Sequence, residues 1–384
     1  MRVLLMNQFF WPDSAATSQL LTDLARDLVT AGHKVDVICG GTYASAGAEE
    51  VPAVTIHRVG GSRFKRNTLG RVLSYATFYL GAAVKAMRIA KPDVVLTLTT
   101  PPLLSVIGAF AKRLRSSRFF IWEMDIYPDV AVDLGYLRQG SIAARLIGTV
   151  ADWSRRQADG VVALGECMRA RLVARGVPSG NITTIDNWAD SRQIRVLPRA
   201  SKPALEIVYS GNLGLAHDVQ TILGAMSALR EDDRFQYTFG GGGARHGELA
   251  KFISETDFDR ITIRPYVARA DLSEILGSGD IGLVTQRDDC CGSVVPSKIY
   301  GLMAAGRAIL FIGPEAATPA HIVTRYQCGW HVPCGDVEKL VQLLQHLAAH
   351  RDEIDVAGHN AREALERRFD RPIGTGRLID LLAG

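Results

Sequence analysis

The chain opens with an apolar run, Val3 to Met6, then a polar loop, then SAATSQLLTDLARDLVTAG, where Leu20, Leu21, Leu24 and Leu28 recur at helical spacing before a glycine. A second apolar run, VDVIC, follows. Strand, amphipathic helix, strand is the pattern of one βαβ unit. The alternation continues, predicting strands at Val54 to Val59, Asp93 to Leu96, Phe119 to Trp122, Gly160 to Ala163 and Ile182 to Ile185, with helices over Thr68 to Ile89 and Ile142 to Gln157. Short apolar strands alternating with longer helices imply a parallel sheet covered on both faces.

After Asn187-Trp188 the segment SRQIRVLPRASKPAL is basic, weakly periodic and broken by Pro198 and Pro203, as a linker is. Beyond it the alternation restarts, with strands predicted at Leu205 to Tyr209, Phe235 to Phe239, Ile261 to Arg264, Ile281 to Val284, Ala308 to Ile312 and Gly329 to Val332. The predicted organisation is a first domain over 1–190, a linker over 191–204, a second domain over 205–365 and a helix over 366–384 that crosses back to the first. The fold class is α/β, two Rossmann-like domains whose parallel sheets face each other across a cleft. A chain of 384 residues, 47% apolar, is long enough for two such cores.

Charge and cysteine content narrow the function. Lys plus Arg exceeds Asp plus Glu by four over the whole chain, far from the concentrated basic surface of a nucleic-acid binder. Residues 1–190 hold 22 of the 44 basic and 16 of the 40 acidic side chains, so the excess is N-terminal. The six cysteines are scattered, without CxxC pairs or histidines at ligand spacing, which reads as free thiols in a reducing compartment. The N-terminal run lacks a basic n-region, and no apolar run reaches the 18 or so residues of a membrane span. A cytoplasmic protein is expected.

Doubly wound sheets bind ligands at the carboxyl ends of their strands, so the loops there carry the candidate chemistry. Gly211-Asn212-Leu213-Gly214 lies between a strand and a helix, and two readings stand: bare amides facing an anion, or a tight turn that needs glycine. The run Gly240 to Gly243 admits the same pair. In GDIGLVTQRDDCCGSVVPSKIYGLMAAGRAILFIG, Ser297 is a plausible N-cap, and the helix ends before Gly306 and a buried strand. Lys298 then sits at the helix start, where its charge opposes the dipole unless an anion is present. The alternative is a solvated lysine.

With these residues in hand a resemblance becomes specific. GNLG, PYVARADLSEIL, GDIGLV and VPSKIYGLMAAGRAILFIGP resemble the donor-binding domain of retaining family 4 glycosyltransferases of GT-B fold, above all the bacterial surface-polysaccharide, O-antigen and colanic-acid branch. NQFFWPD, WEMDIYPD, ALGECMRARL and IDNWAD resemble that branch's acceptor domain. The likeness spans nearly the whole chain. It implies transfer of a sugar from a nucleotide-diphosphate donor, with uridine as the base, to a saccharide or lipid-linked saccharide, with retention of configuration and without a protein nucleophile.

The resemblance also assigns residues. Asp125 and Lys298 are the candidate catalytic groups, although an aspartate before Tyr127-Pro128 is also a common turn residue. Donor contacts are expected from Gly211, Asn212, Leu213, Gly214, His217, Gly241, Arg245, Tyr266, Val267, Arg287, Ser293, Val294, Val295, Pro296, Ser297, Tyr300 and Gly301, and acceptor contacts from Phe10, Asp13, Ala16, Thr17, Glu123 and Tyr127. Two departures stand out. Familiar members carry a pair of glutamates ahead of the Ala-x-Gly that closes the donor helix, where this chain has Ser293 and Gly301, and they often carry an Arg and a Lys where this chain has Asn212 and His217.

No cofactor or metal is expected, since the one Asp-x-Asp, Asp257-Phe258-Asp259, reads as a solvated turn. Arg63, Phe64, Lys65, Arg66, Arg71, Tyr75, Phe78, Tyr79, Lys85 and Arg88 mix basic and aromatic side chains. They read equally as a face resting on the inner membrane surface or as an ordinary amphipathic helix. Two other functions remain open, a UDP-sugar 2-epimerase of the same architecture and a non-catalytic nucleotide-sugar-binding subunit.

Overall fold

The structure, a computed structural model, describes the chain except residues 14, 42–50, 61–67, 200–201 and 269–270. It divides into two compact units, Met1–Asp186 with Pro372–Gly384, and Asn187–Arg371.

Unit 1 runs β1 (Arg2–Met6), α1 (Ala16–Thr30), β2 (Lys34–Gly40), β3 (Val54–Val59), α2 (Thr68–Arg88), β4 (Val94–Thr97), α3 (Ser105–Arg115), β5 (Arg118–Trp122), α4 (Asp129–Asp133), α5 (Ile142–Gln157), β6 (Gly160–Ala163), α6 (Glu166–Ala174) and β7 (Ile182–Thr184). Its seven strands pair in the order β3-β2-β1-β4-β5-β6-β7, all parallel. β4 and β6 are buried at every position, which is why they read as unbroken apolar runs rather than alternating ones. Helix α5 begins where Ser141 accepts a hydrogen bond from the Ala144 amide at 3.2 Å, satisfying one of the first-turn donors.

Unit 2 runs β8 (Leu205–Asn212), α7 (Gln220–Ala228), β9 (Phe235–Gly242), α8 (His246–Thr256), β10 (Ile261–Arg264), α9 (Leu272–Gly277), β11 (Ile281–Thr285), α10 (Lys298–Ala304), β12 (Ala308–Ile312), α11 (Thr318–Tyr326), β13 (Gly329–Val332), α12 (Val337–Ala349) and α13 (Arg351–Ala364). A π turn, Leu365–Phe369, leads to α14 (Arg371–Ala383), most of which belongs to unit 1. The six strands pair in the order β10-β9-β8-β11-β12-β13, again all parallel. One apolar cluster gathers Tyr209, Phe235, Phe239, Leu283 and Leu310, and another gathers Val284, Ile299, Tyr300, Met303 and Phe311.

Both sheets have the doubly wound architecture expected from the alternation, and the GT-B fold class holds. Two local expectations change. β8 and β9 run three residues further than the apolar pattern ends, because Ser210, Gly211 and Asn212 pair with Gly240, Gly241 and Gly242. Glycine is required there by proximity: a Cβ on Gly241, at φ +116°, would stand 2.2 Å from the Gly211 carbonyl oxygen. The described residues from Asn187 to the start of β8, most of them expected as a linker, are tied down on unit 2. Ile194 is buried, the Arg195 amide donates to Ser273 Oγ at 3.1 Å, and Arg199 pairs with Asp280 at 3.2 Å.

Candidate functional site

In unit 2 the strand order reverses between β8 and β11, so the loops after these strands turn away from each other and leave a crevice. The sequence closes that crevice with a lysine and a histidine. Lys298 opens α10, and its Nζ donates to His217 Nε2 at 3.2 Å. His217, from the loop after β8, lies 2.7 Å through Nδ1 from the Thr285 carbonyl oxygen at the end of β11. A carbonyl only accepts, so Nδ1 carries the proton and Nε2 is left to accept from Lys298.

Burial, and then the Lys298 charge, hold the imidazole neutral, with its pKa pushed down to about 3. Burial lowers the Lys298 ammonium to about 8, so it stays protonated at neutral pH. Its Nζ lies 5.3 Å from the centroid of the Tyr209 ring, itself fully buried, which gives the cation an aromatic floor. The stem passes over Gly211, where a Cβ would stand 2.9 Å from Lys298 Cε. The glycine expected to cradle an anion with its amide therefore also clears the path of the lysine.

The remaining donor-side expectations divide. Asn212 is exposed and Gly214 and Ser297 are half-buried at the crevice, while the Arg245 amide donates to the Leu213 carbonyl at 3.0 Å and its charge reaches His217. Arg287 fastens the β8 loop, donating from its amide to Ala216 O at 2.9 Å and from Nη1 to Leu215 O at 3.1 Å, and pairs with Asp289. Tyr266 is exposed beside Gly242, and Val267 packs against the second cluster. Val294 and Gly301 are half-buried and Pro296 is buried.

Several residues expected to contact the donor take part in the packing and hydrogen bonding of unit 2 itself. Leu213, Val295 and Tyr300 are buried in the interior, with the Tyr300 ring 5.4 Å from that of Phe369, so they build the core. Ser293 is buried and its hydroxyl donates to Cys290 O at 3.2 Å. Ser297 occupies the N-cap position with helical torsions and no side-chain capping bond. Helix α7 starts at Gln220, six residues beyond Gly214, and Asp218 already accepts from the Thr221 amide and hydroxyl, so that helix tip holds its own carboxylate.

In unit 1 the corresponding reversal lies between β1 and β4. Thr99, after β4, accepts at 3.2 Å from the amides of both Met124 and Asp125, which pins the loop after β5 against the switch point. The two acidic residues of that loop have opposite surroundings. Glu123 is buried and bound by Arg155 Nε at 2.6 Å, with Arg155 also held by Asp152 at 2.8 Å, so Glu123 ties the end of β5 to α5. Asp125 has no cation paired with it among the described residues, and burial, then the Glu123 charge, raise its carboxyl to about 6.

Tyr127 has its phenol pushed up by burial and by Asp125, with Tyr75, Tyr79 and Tyr136 adding to the shift. Of the other acceptor-side expectations, Asp13 is half-buried with Oδ1 accepting from the Ala15 amide at 2.7 Å, Thr17 is half-buried and Ala16 is exposed at the start of α1. Phe10 is buried in the core.

Sequence reading missed Tyr209 and Thr285. Tyr209 lies three residues before the end of β8 and Thr285 ends β11, and only the pairing of β8 with β11 brings them to His217 and Lys298. Asp257 closes α8 in the left-handed region and is exposed, as is Asp259, so the Asp-x-Asp is a surface turn. Of the basic and aromatic stretch, Arg63, Phe64, Lys65 and Arg66 lie outside the described residues, as does the Arg71 side chain; Phe78 is buried and Tyr75 and Tyr79 are half-buried. Among the described residues no helix is long and apolar enough to cross a membrane.

Comparison with known proteins places these features in context. The family model for the Glycosyl transferase 4-like domain matches residues 17–188, and that for Glycosyl transferases group 1 matches residues 204–350. The chain is 26% identical over 330 residues, 81% of this chain and 80% of the relative, to WbjE of Pseudomonas aeruginosa, assigned as a glycosyltransferase. It is 24% identical over 404 residues, 97% of each chain, to WcaI of Escherichia coli strain K12, assigned as a glycosyl transferase of colanic acid biosynthesis. Among solved structures, HepE of Anabaena in complex with UDP-glucose superposes with a TM-score of 0.73 at 14% identity, covering 100% of this chain and 99% of that one. At that identity the likeness shows the fold alone.

Proposed function

The chain belongs to the family 4 glycosyltransferases, and from that premise we propose that it moves a sugar from a UDP-linked donor to a saccharide or lipid-linked saccharide, with retention of configuration, in surface polysaccharide synthesis. The observation that carries this reading is the Lys298–His217 pair at the β8/β11 switch point. A nucleoside diphosphate leaves readily once its developing charge is held, so preorganised cationic and amide donors matter more than a strong base. Lys298 is protonated at neutral pH, oriented by a neutral imidazole and partly stripped of water, so a phosphate oxygen is the partner that its surroundings lack.

Lys298 and Asp125 take the catalytic roles, with Asp125 orienting the acceptor hydroxyl and the phosphate accepting its proton. Asn212, the Gly211 to Gly214 backbone, Arg245 and Tyr266 line the donor side, with Tyr266 and Val267 nearest the base. Asp13, Thr17 and Tyr127 serve the acceptor. Lys298 supplies the countercharge that a metal supplies elsewhere, so we assign metal-independent chemistry, and EDTA is expected to leave turnover unchanged. A cytoplasmic setting fits six free thiols. Neither epimerase nor non-catalytic subunit is favoured by family models that both describe transferases.

The deciding experiment is a thermal-shift panel of UDP, GDP and ADP with their sugars. A ligand at about 100 times its Kd adds about 2.7 kcal/mol to the native state, so UDP ligands should raise the melting temperature and Lys298→Ala should abolish the rise. Equal or absent shifts across the panel would overturn the donor assignment, and an inverted product anomer by NMR would overturn retention.

A further inference from the structure

Helices α12 and α13 meet at His350, which ends the first and begins the second. Burial fixes how each is turned: Leu340, Leu344 and Leu347 of α12 and Ile354 and Ala357 of α13 face the core. His346, His350 and Glu353 follow one another at spacings of four and three, so helical geometry places them in one column on the outward side. The His350 amide donates to His346 O at 3.0 Å and the Glu353 amide to His350 O at 3.3 Å, so the column survives the junction.

Among the described residues, these three are the one group of His, Cys, Asp and Glu placed to hold a metal ion together, with a ligand atom of each within 4.8 Å of the others. The two imidazole rings stack with centroids 4.2 Å apart, and His346 Nε2 lies 2.9 Å from Glu353 Oε1. Metal bonds of about 2.0–2.1 Å set at a right angle span about 2.9 Å, so a cation can take the place of the proton between these two atoms with little movement. His350 is prepared separately. Its Nδ1 lies 2.9 Å from His346 O, and a carbonyl only accepts, so Nδ1 carries the proton and Nε2 keeps its lone pair. A ring N–H bound to a backbone carbonyl is the support that metal-ligating histidines commonly have.

The surrounding charge suits a cation. Glu353 shares the first turn of α13 with Asp352, and Arg351 is turned away, donating from Nη1 to Lys202 O at 2.9 Å and from Nη2 to Pro203 O at 2.7 Å. Two imidazoles with one carboxylate match divalent transition ions, whereas Mg²⁺ and Ca²⁺ take sets made of oxygen.

We propose that His346, His350 and Glu353 bind a divalent transition-metal ion of the zinc and nickel class, which braces the corner between α12 and α13. Water completes the coordination, and the ring proton of His346 passes from Nε2 to Nδ1. None of the three residues belongs to the donor or acceptor sets, so the site stands independently of the transfer reaction and of the donor assignment.

The test is calorimetric titration of the untagged, EDTA-treated and dialysed full chain with NiCl2, ZnCl2 and MgCl2. One Ni²⁺ or Zn²⁺ per chain is expected, with a rise in melting temperature, and no binding of Mg²⁺. His346→Gln and His350→Gln should each weaken the affinity by about 100-fold and Glu353→Gln by about tenfold, while His359→Gln, an exposed histidine further along α13, should leave it unchanged. Retention of the UDP-induced melting shift checks folding of each variant. The Cu²⁺-loaded wild type should show electron paramagnetic resonance coupling to two ring nitrogens, a readout that needs no variant. Absence of stoichiometric binding, absence of nitrogen coupling, or affinity kept by both histidine variants, which would assign the ion to the free thiols, would each overturn the proposal.

Discussion

Lys298 in unit 2 opens α10 beyond the loop after β11, Asp125 in unit 1 lies in the loop after β5, and each is tied to a strand end at its sheet's switch point, Lys298 through His217 to Thr285 and Asp125 to Thr99; burial shifts both towards neutrality from opposite directions. Lys298 falls to about 8 and Asp125 rises to about 6. Their neighbours make the difference. Lys298 rests on a neutral histidine and an aromatic face, with no carboxylate to spend its charge on, so an anion is what it lacks. Asp125 stands beside a second carboxylate already taken by Arg155, so what suits it is a proton or a hydroxyl. One fold used twice thus holds a cation without a carboxylate partner in one unit and a carboxyl with a raised pKa in the other.

The sharpest way to break the comparison is to remove the framework under Asp125. Arg155→Met leaves Glu123 buried and unpaired, which should cost about 3–5 kcal/mol of stability, read by denaturant unfolding. Next, Lys298→Ala should lower kcat by about 100- to 1,000-fold while leaving the fold intact, because one preorganised donor to the leaving group is lost. Asp125→Asn should cut transfer by about 100-fold with nucleotide binding unchanged, which separates the acceptor end from the donor end.

His217→Gln is a smaller perturbation, since it disturbs only the placement of Lys298; about a tenfold loss of UDP affinity is expected by calorimetry. The smallest effect is the pH dependence. UDP affinity should fall as pH rises through about 8, because the unliganded lysine gives up its proton there. The Asp125 proton is bound more tightly in the folded state than in the unfolded one. Its contribution therefore favours folding at low pH and is lost between the ordinary 3.8 and about 6, and Asp125→Asn should flatten that part of the melting profile.

Much of the fold was legible because the central parallel strands are buried on both faces and read as short apolar blocks, as β11 and β12 do. The extension of β8 and β9 was not, because glycine disfavours strands in general and is placed there by a backbone contact between two segments 30 residues apart in register. In the site, Lys298 was legible from its position at a helix start. Its orientation by His217 and Thr285 depends on sheet pairing across 68 residues, which no local pattern reports. The bond from the Ser293 hydroxyl to Cys290 O was not legible for the related reason that a loop side chain's direction is set by which carbonyl it reaches.

The return of the closing helix to unit 1 has a consequence for biosynthesis. Pro372–Gly384 is translated only after every residue of unit 2, so the first unit to leave the ribosome is the last to be finished. Unit 2 can acquire its core as a contiguous stretch while the earlier sheet still waits for a covering segment. A nascent chain stalled before that helix would then hold a complete unit 2 and an unfinished unit 1, and cellular quality control would meet the two in different states.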